Sequence, residues 1–230
     1  MPDRPWLMTQ TWHDLLFAHW PIDPSQLRGK VPDVFDLDLF GGQGWIGVVP
    51  FCMTNVSPRG VPSLPSVSEF AELNVRTYVT IGGKPGVFFF SLDAASALAV
   101  KAARVLLNLP YFTASMRIDR SGSTVRYASS RLDGDAELIA EYSPTGPSSA
   151  PAMGSLEYFL TERYCLYHID RRGRPYRLEI HHPPWPLQPA AATVTRNTMA
   201  AAAAIVLPDR PPLLHFSKRQ DMVAWGKELI

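Results

Sequence analysis

Polar and apolar residues alternate with unusual regularity in residues 72–79, which read ELNVRTYV. Side chains of a β-strand point alternately to its two faces, so this stretch predicts a strand with one polar and one mostly apolar face. Positions 72 and 76 lie roughly 13 Å apart along such a strand, too far for easy direct pairing of their side chains. The polar positions are Glu72, Asn74, Arg76 and Tyr78.

Similar patterns predict a chain made mainly of strands. Alternating or continuously apolar runs, rich in aromatic and β-branched residues, are bounded by Gly, Pro, Asn or Asp turns. Two of them, 36–40 and 45–53, are predicted to form a hairpin around the glycine-rich turn 41–44. The remaining predicted strands are 11–22, 72–80, 87–91, 111–118, 124–130, 137–142, 163–169, 176–182 and 213–225.

Short helices are predicted between some of these strands. Asp23 and Pro24 fit the N-cap and first position of one short helix. Asp93 is predicted to cap a helix from about 94 to 107, with an apolar face that packs on the sheet. Asn197 is predicted to cap an alanine-rich helix over 198–205.

These elements predict a single domain over residues 1–230, with residues 1–10 as a loose leader. The fold class is α+β, mostly antiparallel β, in a closed or nearly closed barrel with a few outer helices. The Pro- and Ser-rich segment 55–66 is typical either of a binding loop or of a surface excursion without a role.

The polar face of strand 72–80 can be interpreted in three ways. The following strand, VFFFS at 87–91, has no polar face of its own, which is typical of a strand buried on both sides. If the helix after it covers the apolar face of strand 72–80, the polar face points into the barrel. There its charges would line a ligand pocket or form a self-satisfied network. A polar face that simply meets water is the third interpretation.

Composition and charge narrow the function classes. The chain has 230 residues, 46% of them apolar, which is enough to bury a full core. A net charge of +1 with scattered Lys and Arg argues against a nucleic-acid partner. The longest small apolar run, 199–207, is far shorter than the ~20 residues of a membrane helix, and no signal peptide is evident. We therefore expect a cytoplasmic protein without a membrane partner; oligomerisation with copies of itself stays open.

Few motifs of established chemistry are present. Cys52 and Cys165 lie in apolar runs and give no disulfide framework. His181 and His182 are neighbours, so in a strand they point to opposite faces and do not share one metal ion. Nucleophile-elbow, phosphate-loop and dinucleotide motifs are lacking. We expect neither a metal nor a cofactor.

Several long segments resemble one family. ELNVRTYV, KPGVFFFSLDA, ARVLLNLPY, LTERYCLY and HHPPWPLQ are similar to the YqjF-like bacterial family of uncharacterised proteins. The resemblance extends from about Trp12 to Trp225, and that family is placed in the acetoacetate decarboxylase-like superfamily. The resemblance implies a decarboxylase-like β-barrel with outer helices and a central cavity.

The decarboxylases of that superfamily form a Schiff base on a lysine, in a segment reading roughly Gly-Arg-Glu, three residues, then Pro-Lys-Lys. In this chain Arg104 and Pro110 match that segment, but Tyr111 stands at the nucleophilic lysine and Phe112 at its neighbour. A phenol cannot form an imine. Glu72 matches a glutamate that faces the pocket in those enzymes. The resemblance thus implies the cavity without the decarboxylase chemistry.

The expected function is binding of a small, anionic organic molecule, with Arg76 pairing with a carboxylate. Glu72 and Tyr111 would supply an acceptor and a hydroxyl, and Asn74 and Tyr78 would orient the ligand. One alternative is a lysine-independent enzyme of isomerase or hydratase type, with Glu72 as general base and Tyr111 as acid. The other is a structural barrel with a self-satisfied polar interior.

Overall fold

The fold is a single 13-stranded sheet that closes on itself. The computed structural model describes residues 2–60 and 69–230. Its helices are α1 (Pro24–Arg28), α2 (Ala97–Leu106), α3 (Leu156–Thr161) and a 3-10 turn (Ala201–Ala203). Its strands are β1 (Met8–Ile22), β2 (Asp36–Leu37), β3 (Gly44–Pro58), β4 (Phe70–Ile81), β5 (Lys84–Ala94), β6 (Tyr111–Ser121), β7 (Thr124–Arg131), β8 (Glu137–Pro144), β9 (Cys165–Ile169), β10 (Pro175–His181), β11 (Gln188–Asn197), β12 (Leu213–Ala224) and β13 (Glu228–Leu229).

The pairing of these strands makes two closed circuits. Nine strands, in the order β5-β6-β7-β8-β11-β12-β1-β3-β4, return to β5 and form a mixed β-barrel. Seven strands, β5-β9-β10-β12-β1-β3-β4, also return to β5 through the additional β10–β12 and β4–β5 pairings. Five strands are common to both circuits. Each of these strands therefore has one face toward the nine-strand interior and the other face toward the seven-strand interior. The predicted mostly antiparallel barrel with few helices is confirmed.

The nine-strand circuit encloses the main apolar core. Leu16 and Trp20 of β1, Leu73 and Val75 of β4, and Tyr127 of β7 belong to one buried cluster. The apolar face of β4 therefore packs on this core, whereas we had expected the helix after β5 to cover it. The opposite, polar face of β4 points toward the interior of the seven-strand circuit.

A bulge in β1 sets which of its side chains enter each circuit. Asp14 has a positive φ of 52°, and the pairing register of β1 with β3 shifts between His13 and Ala18. The buried carboxylate of Asp14 accepts hydrogen bonds from Arg120 and Lys218. An extra residue at a bulge changes the alternation of the strand after it.

Two predicted elements are corrected at the start of the sheet and after β5. The hairpin of 36–40 with 45–53 does not form, because β2 pairs with β4 while β3 lies between β1 and β4. Asp93 does not cap a helix. It continues β5 and is fully buried in a two-point ion pair with Arg131, at 2.8 and 2.7 Å.

The predicted helical faces are also corrected. α2 begins at Ala97, and Leu98 and Val105, predicted to pack on the sheet, are 63% and 57% exposed. The alanine-rich segment 198–205 forms only the 3-10 turn, although the Asn197 side chain does accept from the Met199 amide. The segment before it, which was not predicted as a strand, is β11.

Other predictions fall at the edges of the described residues. β1 begins at Met8, within the segment predicted as a leader. The predicted loop 55–66 begins inside β3, which continues to Pro58, and its residues 61–66 lie outside the described residues. Within the part of the chain that is described, no helix is both long and apolar enough to span a bilayer.

Candidate functional site

The polar face of β4 lines the interior of the seven-strand circuit. Glu72, Asn74 and Tyr78 are buried and Arg76 is partly buried. An apolar wall lies beside them, formed by Phe17 and its cluster neighbours on β1, β3 and the segment after β10. This cluster comprises Leu15, Phe17, Val49, Phe51, Met53, Trp185 and Leu187.

A glycine lets two polar side chains meet across the sheet. Gly47 of β3 pairs with His19 of β1 on one side and with Arg76 of β4 on the other. A Cβ at Gly47 would lie 2.9 Å from Nε2 of His19 and 3.4 Å from Cγ of Arg76. Only a residue without a side chain leaves room here for both neighbours.

Arg76 brings an unbalanced charge into this interior. No ion pair between described residues includes it, and its Nε is buried without a hydrogen-bond partner. Its guanidinium carbon lies 5.4 Å from the ring centre of Phe17 and 5.9 Å from that of Tyr78. Arg76 also forms a hydrogen bond with the Tyr78 side chain, but no carboxylate among the described residues balances its charge.

His19 is held in one tautomer by a short chain of hydrogen bonds. The Tyr78 hydroxyl lies 2.8 Å from the Leu160 carbonyl oxygen and 2.6 Å from Nε2 of His19. A carbonyl can only accept, so the single hydroxyl proton goes to Leu160 and Nε2 of His19 must donate to Tyr78. Nδ1 of His19 is then an unprotonated acceptor, and it is buried without a partner.

The charge state of His19 agrees with this tautomer. The side chain is fully buried, and burial lowers its pKa well below the usual value, with further lowering by the charges of Arg76 and His215. His19 is therefore neutral near pH 7.

Further buried polar atoms lack partners around the same interior. They belong to strands β3, β4 and β12 and to the segment after β10. These atoms are Nε1 of Trp45, Oδ1 of Asn74, Nε1 of Trp185, Nδ1 of His215 and Oγ of Ser217. Buried polar groups in folded proteins are normally hydrogen-bonded, so each of these atoms can still bond a water molecule or a ligand.

Glu72 lies at the other end of the polar face and is held neutral. The hydroxyl of Tyr111 donates to its carboxyl over 2.9 Å. The pKa of Glu72 is raised to about 8, mainly by burial; the Tyr111 hydrogen bond partly opposes the rise and the nearby charge of Asp93 adds a smaller increase. Burial also raises the pKa of Tyr111 well above its usual value. At pH 7 this carboxyl is mostly protonated, so it would serve as a general acid and not as the general base that the acid–base alternative assigns to it.

The five predicted site residues therefore occupy one strand face and its end. Glu72 and Tyr111 contact each other, and Arg76 and Tyr78 contact each other at the opposite end, with Asn74 between them. The hydroxyl of Tyr78 is already engaged with His19 and Leu160, so it positions His19.

Sequence reasoning did not single out His19, Gly47, His215 or Ser217. A glycine inside a strand is a recognised sign of close approach, so Gly47 carried a usable signal. The histidines carried none, because their role depends on which strands become neighbours.

Other places in the fold offer less to a ligand. A cleft of about 650 Å³ outside the circuits contains Arg4, Lys84 and Arg177. Arg4 is paired with Glu228 and Lys84 with Glu179, and Arg177 is paired with both carboxylates. Among the described residues, no group of three or more His, Cys, Asp or Glu side chains could hold a metal ion.

Comparison with known proteins identifies relatives of the whole chain. A curated relative, the uncharacterised protein YqjF of Bacillus subtilis (strain 168), is 48% identical over 226 residues, covering 98% of this chain and 93% of the relative. Acetoacetate decarboxylase from Legionella pneumophila has the same fold, with a TM-score of 0.68 at 12% identity, covering 100% of this chain and 92% of that one.

The enduracididine biosynthesis enzyme MppR, solved in complex with pyruvate, gives a TM-score of 0.67 at 12% identity and covers 100% and 91% of the two chains. The two solved structures establish the acetoacetate decarboxylase-like fold. At the level of sequence, the family described as an uncharacterised conserved protein, DUF2071, matches residues 9–221. The chain therefore belongs to the DUF2071 family, together with YqjF.

Proposed function

We propose that the protein binds a small organic monocarboxylate inside the seven-strand circuit, with Arg76 as the anion-binding residue. The observation that carries the proposal is the guanidinium of Arg76, which has no ion-pair partner among the described residues and lies against the rings of Phe17 and Tyr78. Arg76 is partly buried, and an anionic ligand would stabilise a guanidinium that is partly removed from water without a carboxylate partner. A guanidinium also matches a carboxylate in shape and can bind both of its oxygens.

The charge of the interior supports a single negative charge on the ligand. Arg76 contributes one positive charge, while Glu72, with its pKa raised to about 8, and His19 are neutral at pH 7. Asp93 is already balanced by Arg131. Arg163 is paired with Asp38, and the buried carboxylate of Glu162 accepts hydrogen bonds from the Trp185 amide and the Tyr164 hydroxyl. One carboxylate is enough to pair with Arg76.

The chemistry proposed is binding without a Schiff base. Tyr111 stands where the decarboxylases have their lysine, and its hydroxyl is bonded to Glu72. None of the chain's five lysines is buried. MppR, which shares the fold, has been solved with pyruvate, a monocarboxylate, so this architecture can accept such a ligand.

The proposal is tested by calorimetric titration with matched acid and amide pairs. Propanoate and 3-phenylpropanoate are compared with propanamide and 3-phenylpropanamide, which keep the shape and lack the charge. We expect at least one acid to bind about tenfold or more tightly than its amide, since a charged hydrogen bond contributes about 1.5–3 kcal/mol. Equal affinities for acid and amide, or no binding of any acid, would refute the proposal.

A further inference from the structure

We infer that a second cleft, at the end of the nine-strand circuit where β1 bulges, binds a free apolar α-amino acid, with Arg120 holding its carboxylate and Glu69 its ammonium group. This cleft shares no residue with the interior proposed for monocarboxylates. The inference therefore goes beyond the proposed function and does not depend on it.

The cleft has an apolar wall and the size of a small-molecule site. Its volume is about 450 Å³, and Phe70 and Ala71 of β4 and Met116 and Ile118 of β6 line it. Ala71 belongs to the main core, and Met116 and Ile118 pack against that core, so the cleft opens onto the apolar interior of the nine-strand circuit. An aliphatic or aromatic side chain bound here would be removed from water.

Arg120 brings a positioned cation to this cleft. Its Nε donates over 2.5 Å to the carboxylate of Asp14, a residue that is only 2% exposed. The same carboxylate accepts from Lys218 over 2.6 Å, so one buried anion is shared by two cations. No other carboxylate of the described residues pairs with Arg120. The terminal nitrogens of its guanidinium are therefore available to a carboxylate in the cleft, which they can bind through both oxygens.

Glu69 brings the opposite charge to the same cleft. It is exposed, and no ion pair between described residues includes it. Sγ of Cys52 lies 4.0 Å from Oε1 of Glu69, and the same thiol is hydrogen-bonded to the Arg120 side chain. Burial raises the pKa of this thiol, which is therefore neutral at pH 7 and only a weak donor and acceptor. The two charges thus flank one thiol without pairing with each other.

This pair of charges matches a zwitterion. A free α-amino acid carries its ammonium and carboxylate groups on one carbon atom, so it can contact Glu69 and Arg120 at once, and its side chain then meets the apolar wall. A simple carboxylate would leave Glu69 without a partner, and a simple amine would do the same to the free side of Arg120. A peptide bond removes one of the two charges, which favours the free amino acid.

The inference is tested by calorimetric titration of the wild-type protein at pH 7 with leucine, leucinamide and serine. Leucinamide keeps the ammonium group and lacks the carboxylate, whereas serine keeps both charges and lacks the apolar side chain. We expect leucine to bind about tenfold or more tightly than either, because each comparison removes a charged hydrogen bond or the burial of the side chain. Equal affinities of leucine and either analogue, or no binding of leucine, would overturn the inference.

The variant Glu69→Gln tests the location of the bound amino acid. Glutamine keeps the shape of the side chain and removes its charge, and an exposed position outside any described ion pair should leave folding unaffected. We expect leucine to bind about tenfold more weakly to this variant. The control is Glu141→Gln, an exposed glutamate outside the cleft, which should bind leucine as the wild type does. Unchanged leucine affinity in Glu69→Gln would overturn the role of Glu69 and with it the assignment of this cleft.

A third ligand separates this inference from the proposed function. 4-Methylpentanoate has the skeleton of leucine without the ammonium group, so its affinity should be the same in Glu69→Gln and in the wild type. Acids that bind in preference to their amides, with no binding of leucine, would overturn the inference and leave the proposed function standing. Leucine binding that Glu69→Gln weakens, with no binding of any simple acid, would support the inference and overturn the proposed function.

Discussion

At the scale of single residues, Glu72 makes stability depend on pH. Its pKa is raised to about 8 by burial, whereas an unfolded glutamate titrates near its model value of 4.5. Between these two pH values the folded state keeps a proton that the unfolded state has lost. The contribution of Glu72 to the free energy of unfolding therefore falls as the pH rises through this window, by at most about 1.4 kcal/mol per pH unit.

Glu72→Gln cannot titrate and should remove this dependence. We expect the free energy of unfolding of the variant to increase relative to that of the wild type as the pH rises from 5 to 8. Denaturant titrations across this range measure the difference, with Glu141→Gln on the surface as the control. Parallel curves for Glu72→Gln and wild type would show that the carboxyl ionises normally.

Tyr111, which the family resemblance aligns with the decarboxylase lysine, leads to a second prediction. Because no lysine is buried, no amine lies ready to form an imine in the interior. Borohydride reduction in the presence of acetoacetate should leave the mass of the intact protein unchanged. Mass spectrometry that finds a reduced adduct on one particular lysine would contradict the absence of Schiff-base chemistry.

The sequence predicted the polar face of β4 residue by residue, because strand alternation is a local property. Tyr111 entered the predicted site only through the family resemblance, and its hydrogen bond to Glu72 was not predicted. The contribution of His19 was not predictable, since it depends on the register that places Gly47 between His19 and Arg76.

At the scale of elements, the parallel contact of β5 with β9 closes the seven-strand circuit. Among the described residues this contact consists of one residue pair, Val87 with Leu166. Next to it, a Cβ on Gly86 would lie 2.7 Å from the ring of Tyr167 and 2.9 Å from the carbonyl oxygen of Cys165. The two strands approach closely here because position 86 carries no side chain.

Gly86→Ala should therefore force β5 and β9 apart. We expect the free energy of unfolding to fall by about 1–3 kcal/mol, the usual cost of overpacking. Thermal or denaturant unfolding measures the change. Gly29→Ala is the matched control, because its φ is −71° and no atom lies within 4 Å of its added Cβ. Equal stability of the two variants would mean that β9 can shift without cost.

Elements with strong alternation were predicted well, and weakly patterned ones were not. β11 was missed because its sequence, QPAAATVTRN, contains little bulky apolar surface and it becomes a strand by pairing with β8. The face of α2 was mispredicted because the apolar surface of the sheet is already covered by the core between the strands. Helical periodicity alone does not reveal whether a covering partner is needed.

At the scale of the whole molecule, the two circuits have different interiors. The nine-strand interior is filled mainly with Leu, Val, Tyr and Ala side chains, whereas the other contains Arg76, His19 and several further polar groups. The barrel class was predictable from the number and spacing of strands together with the family resemblance. The double closure was not, because it depends on the long-range pairings β10–β12 and β5–β9.

The central claim, that Arg76 is held for a ligand, is tested most directly by the stability of Arg76→Met. This change keeps the stem of the side chain and removes the charge. Arg131→Met is the reference, since Arg131 is buried in an ion pair with Asp93 and its loss should cost about 3–5 kcal/mol. We predict that the free energy of unfolding of Arg76→Met lies within about 1 kcal/mol of the wild-type value, with carboxylate binding lost. A loss of stability as large as that of Arg131→Met would contradict the account, because it would show that Arg76 already has its partner in a closed network.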